Sequence, residues 1–160
     1  MKKIDNSTQS GHHYSATQLG PLDQLERFTY EAPTQKRRFV VEGKVFLGQL
    51  LGLTSCEISL NFLPPSAGIP FYHKHQNNEE VYIAIQGQGE FQIDGEILEF
   101  CPGTALRVAP AGERTLRNIS TTEPLIWFVV QAPAGQYPQL ASEISDGVGI
   151  PKPVVWPASQ

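Results

Sequence analysis

From Arg38 to Gln131 the chain is a succession of short apolar stretches interrupted by Gly, Pro or polar pairs. These stretches predict strands at residues 38–41, 45–50, 55–63, 80–85, 90–93, 97–100, 105–108, 115–119 and 125–131. None is long or periodic enough for a substantial helix. One short helix is predicted at Pro21–Phe28, where proline suits the first turn and Leu22, Leu25 and Phe28 recur at near-helical spacing. Asp94-Gly95, set between two apolar segments, is the pair a tight primed hairpin needs. Gly87-Gln88-Gly89 and Pro102-Gly103 punctuate the chain in the same way. Regular short strands of this kind predict an all-β sandwich or barrel.

The length of 160 residues suits one domain. The 14 glycines and 13 prolines fit a turn-rich β-protein. Three regions are predicted: an N-terminal arm at 1–36, a barrel at 37–132 and a proline-rich tail at 133–160. Residues 1–18 are polar and have little to bury, so they read as a disordered or loosely docked arm. In the tail, residues 138–144 allow one helical turn, and the other prolines impose extended chain. Its apolar Val154, Val155 and Trp156 are expected to dock on the barrel or on a neighbouring subunit. The formal net charge of −4 argues against binding phosphate backbones, so no nucleic-acid partner is expected. The first 36 residues leave no room for a helix-turn-helix.

The longest apolar run, Leu125–Val130, is far short of the ~20 residues that span a bilayer. Lys2 and Lys3 are followed by no apolar core of a signal peptide. The two cysteines, Cys56 and Cys101, make no disulfide framework, and Cys101 reads as a buried filler. A cytoplasmic location is the expectation.

The chemistry is concentrated between Gly68 and Gly87. In extended chain His73 and His75 project from one side. Gln76-Asn77-Asn78 has turn composition and would return the chain to a strand beginning near Glu80. Two imidazoles and a carboxylate can then converge, a set that suits Fe(II), Mn, Zn or Ni and leaves positions open for substrate. Glu79 and Glu80 are strand neighbours, so only one of them faces inward. His12 and His13, in the polar arm, read as solvated.

This segment resembles the first motif of the cupin superfamily: Gly, five residues, His-x-His, three or four residues, Glu, six residues, Gly. Here His73-x-His75, four residues, Glu80, six residues and Gly87 fit, which selects Glu80 over Glu79. The leading glycine is one place out, with Ala67 in its position and Gly68 next. The second motif, Gly, five residues, Pro-x-Gly, two residues, His, three residues, Asn, is present in spacing only. It reads Gly103, Ala109-x-Ala111, Arg114 and Asn118. The resemblance covers about residues 40–132 and implies a single jelly-roll barrel, the double-stranded β-helix, with His73, His75 and Glu80 as metal ligands at its mouth.

Arg114 departs from the family's pattern, which has a fourth histidine ligand there. A guanidinium offers donors only and cannot ligate a cation. A metal on the three remaining ligands, a metal-free Glu80–Arg114 pair, and an Arg114 reaching solvent at the rim are all consistent with the residues. Strand parity groups Tyr82 and Ala84 with Glu80, and Leu116 and Asn118 with Arg114. Arg114, Tyr82, Asn118 and Gln131 are the candidate substrate-binding residues, and Arg114 favours an anionic ligand. Phe71, Tyr72 and Trp127 are weaker cavity candidates.

Two functions fit. One is a small-molecule-binding cupin acting as a metal-dependent dioxygenase, decarboxylase or isomerase. The other is a non-catalytic, metal-free binding or sensing cupin. Val81, Ile83 and Ile85, on the outward face of their strand, predict a homodimer.

Overall fold

A computed structural model describes residues 8–32, 39–137 and 147–156. Strands β1 (Gln9–Ser10) and β2 (Ser15–Ala16) form a small exposed hairpin. A 3₁₀ helix over Leu22–Arg27 leads to β3 (Thr29–Ala32), which pairs with β4 (Phe39–Glu42). There follow β5 (Lys44–Phe46), the one-turn helix α1 (Gly48–Leu51), β6 (Glu57–Leu63), β7 (Asn78–Gln86), β8 (Gly89–Ile93), β9 (Glu96–Phe100), β10 (Ala105–Val108), β11 (Arg114–Asn118) and β12 (Leu125–Pro133). Five of these make one antiparallel sheet in the order β10-β7-β12-β6-β5, and three make a second in the order β11-β8-β9. This is the all-β architecture the strand pattern predicts, in the jelly-roll form that the cupin resemblance implies.

The inward faces of both sheets enclose Tyr82, Ala84, Phe91, Phe100, Val108, Leu116, Leu125, Trp127 and Val129. Each large apolar side chain buried there contributes roughly 1.5–3 kcal/mol. A second cluster covers the outer face of the large sheet, where Leu25 and Phe28 pack on Val45, Leu60, Phe62 and Ile126. Part of the region read as an arm is therefore a lid on β5, β6 and β12. Farther along the same outer face, Ile83 and Ile85 remain 37% and 38% exposed.

The predicted strand at 45–50 ends at Phe46. The Glu57 carboxylate accepts the Gly48 N–H at 2.7 Å and the Ile58 N–H at 3.0 Å, and the first of these bonds, from beyond the segment, holds the start of α1 at residues 48–51. Asn78, read as part of a turn, opens β7 opposite Pro133. β3 was not anticipated. The Asp94-Gly95 hairpin is present, with φ of 48° and 88° at its two central residues, as a primed turn requires. Gly43, at φ +72°, turns β4 into β5; a Cβ there would lie 2.8 Å from the Phe62 carbonyl oxygen. That close approach fixes how β5 enters the sheet.

The predicted helical turn at 138–144 lies outside the described residues. Val154, Val155 and Trp156 are 78%, 81% and 86% exposed. Cys56 and Cys101 are free.

Candidate functional site

Strand pairing, rather than sequence proximity, assembles the site. The segment carrying His73 runs antiparallel to β11, and His73 and Arg114 exchange both backbone hydrogen bonds, at 3.1 and 3.0 Å. The His75 N–H then donates to the Pro110 carbonyl at 2.9 Å. On the opposite sheet, β7 alternates as expected, with Glu80, Tyr82 and Ala84 buried inward and Val81, Ile83 and Ile85 outward. Glu79 points away and pairs with Arg107 on the surface. β11 likewise buries Arg114, Leu116 and Asn118 on one face.

One ligand atom from each of His73, His75 and Glu80 lies within 4.8 Å of the other two. Nε2 of His75 is 3.1 Å from Oε1 of Glu80, and Nε2 of His73 is 4.0 Å from Oε2. Nδ1 of His73 and Nε2 of His75 are buried and have no hydrogen-bond partner among the described residues. The other carboxylate oxygen is occupied. Oε2 of Glu80 accepts from the Tyr82 hydroxyl and from Nη2 of Arg114. Arg114 is wholly buried; its Nη1 donates to the Gly112 carbonyl at 2.9 Å and its Nε to the Tyr82 oxygen at 3.4 Å. The reading of Arg114 as a solvent-reaching rim residue is thereby corrected, because the turn before β11 aims it into the barrel.

The electrostatics follow from these contacts. Burial works to raise the Glu80 pKa, but hydrogen bonds from Tyr82 and Arg114, with the charges of Arg114 and His75, lower it overall. Burial and the neighbouring carboxylate raise the Tyr82 hydroxyl. Burial lowers His73 to about 4, helped by the Arg114 cation and opposed by Glu80. These two shifts favour a neutral His73 ring beside an ionised Glu80 carboxylate. That is the protonation state a divalent metal requires.

The donor set fits such an ion. Two ligands at ~2.1 Å from one ion stand ~3 Å apart when adjacent, close to the 3.1 Å between His75 and Glu80. Oε1 faces Nε2 of His75, and the grip of Arg114 and Tyr82 on Oε2 orients the carboxylate to offer that single oxygen, as outer partners of ligating carboxylates do.

The other sequence-predicted residues divide. The Asn118 amide donates to the carbonyls of Leu63, Pro64 and Glu123 at 2.8–3.2 Å, closing two loops rather than facing a cavity. Tyr72 is exposed and bonds Gln92, Phe71 is 42% exposed, and Trp127 is buried in the inner core. Gln131, the cross-strand neighbour of Glu80, lines an open cavity of about 790 Å³. Asn78, Glu57, Phe46 and Lys44 share that lining. Lys44 escaped the sequence reading because its strand was begun one residue late, at Val45; the Gly43 turn is the signal that could have placed it.

Comparison with known proteins agrees with this architecture. Residues 61–131 match the family model described as a cupin domain. The crystal structure of a cupin protein from Bacteroides fragilis is 34% identical, covers 78% of this chain and 98% of its own, and superposes with a TM-score of 0.61. A sugar phosphate isomerase of the cupin superfamily from Silicibacter pomeroyi is 22% identical over 56% of this chain and 57% of its own, with a TM-score of 0.51. DMSP lyase DddQ from Ruegeria pomeroyi is 19% identical over 59% of this chain and 48% of its own, with a TM-score of 0.50. At these lower identities the likeness is one of fold. No curated protein sequence matches. No helix among the described residues is long and apolar enough to cross a membrane. On its motif, its barrel and its likeness to the Bacteroides protein, the chain belongs to the cupin family.

Proposed function

We propose that this protein is a small-molecule-binding cupin that holds a divalent transition metal on His73, His75 and Oε1 of Glu80, and acts as a metal-dependent enzyme on a small substrate. The observation that carries the proposal is the cluster itself: one ligand atom from each of His73, His75 and Glu80 lies within 4.8 Å of the other two. A bound Fe, Mn, Zn or Ni ion would supply Lewis acidity to a substrate oxygen. The chain does the rest. Arg114 and Tyr82 keep Glu80 ionised and oriented, and the low pKa of His73 keeps its ring neutral. Three protein ligands leave positions open for substrate. Dioxygenation, decarboxylation and isomerisation are the reaction types compatible with such a centre. Of the four candidate substrate-binding residues, Gln131 faces the cavity, whereas Arg114 and Tyr82 act through Glu80.

The buried Arg114–Glu80 pair favours a second reading, a metal-free binding or sensing protein in which the guanidinium serves as the carboxylate's counter-charge. Elemental analysis of protein purified without a metal-affinity step, beside a His73→Ala/His75→Ala variant, separates the two. The metal reading expects stoichiometric metal in the wild type and none in the variant; equal, substoichiometric metal in both overturns it.

We also propose a cytoplasmic homodimer. The half-exposed Ile83 and Ile85 and the extended, exposed Val154–Trp156 segment are apolar surfaces suited to a second copy. Light scattering at micromolar concentration should give the mass of two chains, and the mass of one chain overturns this.

A further inference from the structure

We propose that the cavity between β5, β6 and β12 binds the carboxylate group of a small organic acid, with Lys44 as its counter-charge and the Asn78 and Gln131 amides beside it, so that the rest of the ligand extends toward the His73–His75–Glu80 centre. The inference rests on the proposed function for the role of that centre, but not for the anion site itself.

The register gives the geometry. Lys44 pairs with Asn61, which pairs with Trp127, which pairs with Ala84, so Lys44 shares the inward face with the β7 residues of the site. Its neighbour Val45 points the other way, into the outer cluster. The Lys44 ammonium lies 4.8 Å from the centre of the Phe46 ring and, among the described residues, makes no hydrogen bond or ion pair. It borders the cavity of about 790 Å³, ample for a small organic acid. The wall between this cavity and the metal ligands consists of Gln131, the cross-strand partner of Glu80, and Asn78, two residues before Glu80 on the same face. Gln131 and Asn78 thus belong both to the cavity lining and to the surroundings of Glu80.

Charge limits the class of anion. Glu80 is balanced by Arg114, and the Glu57 carboxylate, oriented by the Gly48 and Ile58 N–H groups, shares the cavity lining with Lys44. Among the described lining residues Lys44 is the one cation, and it faces at most one carboxylate. A phosphate dianion would set a second negative charge against Glu57. Burial lowers the Lys44 pKa, opposed by the Glu80 and Glu57 carboxylates.

Calorimetric titration of pentanoate, neutral pentanamide and inorganic phosphate into chelator-treated protein tests this, with manganese titrated separately. Pentanoate is expected to bind the wild type more tightly than either control, to lose at least tenfold in affinity in Lys44→Met, and to be largely retained in Lys44→Arg and in His73→Ala/His75→Ala. Equal pentanoate binding by wild type and Lys44→Met, binding no better than pentanamide, phosphate binding more tightly than pentanoate, or no pentanoate binding at all would each overturn the proposal. If Lys44→Met does not fold, the Nζ resonance of Lys44 in lysine-labelled wild type gives the same answer: a shift on adding pentanoate supports the site, and no shift overturns it. A wild type that binds pentanoate through Lys44 but no manganese would remove the proposed metal function and leave the anion site standing.

Discussion

Arg114 and Arg117 stand three residues apart on β11, and each meets a glutamate on another strand. Arg117 lies outward and pairs with Glu90 of β8 at 2.5 Å, with its side chain 64% exposed. Arg114 lies inward, wholly buried, and pairs with Glu80 across the barrel. The strand's two-residue alternation alone separates them. At the surface, water solvates both charges and the pair contributes little. Inside the barrel neither charge has water to return to, so each depends on the other and on Tyr82. The same chemistry is decoration in one place and the scaffold of a site in the other.

Substitution should make the contrast measurable. Arg114→Ala leaves Glu80 buried without its counter-charge and should cost about 3–5 kcal/mol in urea unfolding. Replacing both partners, as in Arg114→Met/Glu80→Leu, should recover most of that loss. A double variant as unstable as the single one would show that packing, not charge, holds Arg114. Arg114→His should raise manganese affinity about tenfold, equivalent to ~1.4 kcal/mol, by adding a ligand and removing a nearby cation. Calorimetry showing unchanged affinity would put Arg114 outside the electrostatic reach of the centre.

The pH dependence has a definite sign. His73 has a native pKa of about 4, below its ordinary value near 6.5, so the unfolded chain binds the proton first as pH falls. Chelator-treated protein should therefore lose stability from about pH 6.5 down to about 4, and more below that as Glu80, also lowered, protonates. His73→Ala should flatten the upper part of that decline in melting temperature. Arg117→Ala should be the smallest effect, within about 1 kcal/mol of wild type and weaker still in high salt.

How much of this was legible in the residues depended on whether a local signal existed. Alternation in Glu80–Ile85 and in Arg114–Asn118 reads directly as two faces, and both faces are where it puts them. Asp94-Gly95 announces its turn because few other pairs accept two positive φ values. The His73, His75 and Glu80 cluster was visible because motif spacing carries it. By contrast, α1 exists because Glu57, several residues later, bonds the Gly48 N–H. No local pattern in residues 48–51 says so. The bonding of Arg114 likewise depends on a pairing between β11 and the His73 segment that only the folded barrel creates. Lys44 was missed for a similar reason: its inward face is set by its register with Asn61.

The central claim is that Glu80, and not its neighbour, completes a metal site with His73 and His75. Manganese titration into chelator-treated wild type, Glu80→Ala and Glu79→Ala tests it most directly. One ion should bind per chain in the wild type and in Glu79→Ala, and Glu80→Ala should lose at least tenfold in affinity. Retained binding in Glu80→Ala with loss in Glu79→Ala, or no binding in the wild type, would contradict the account.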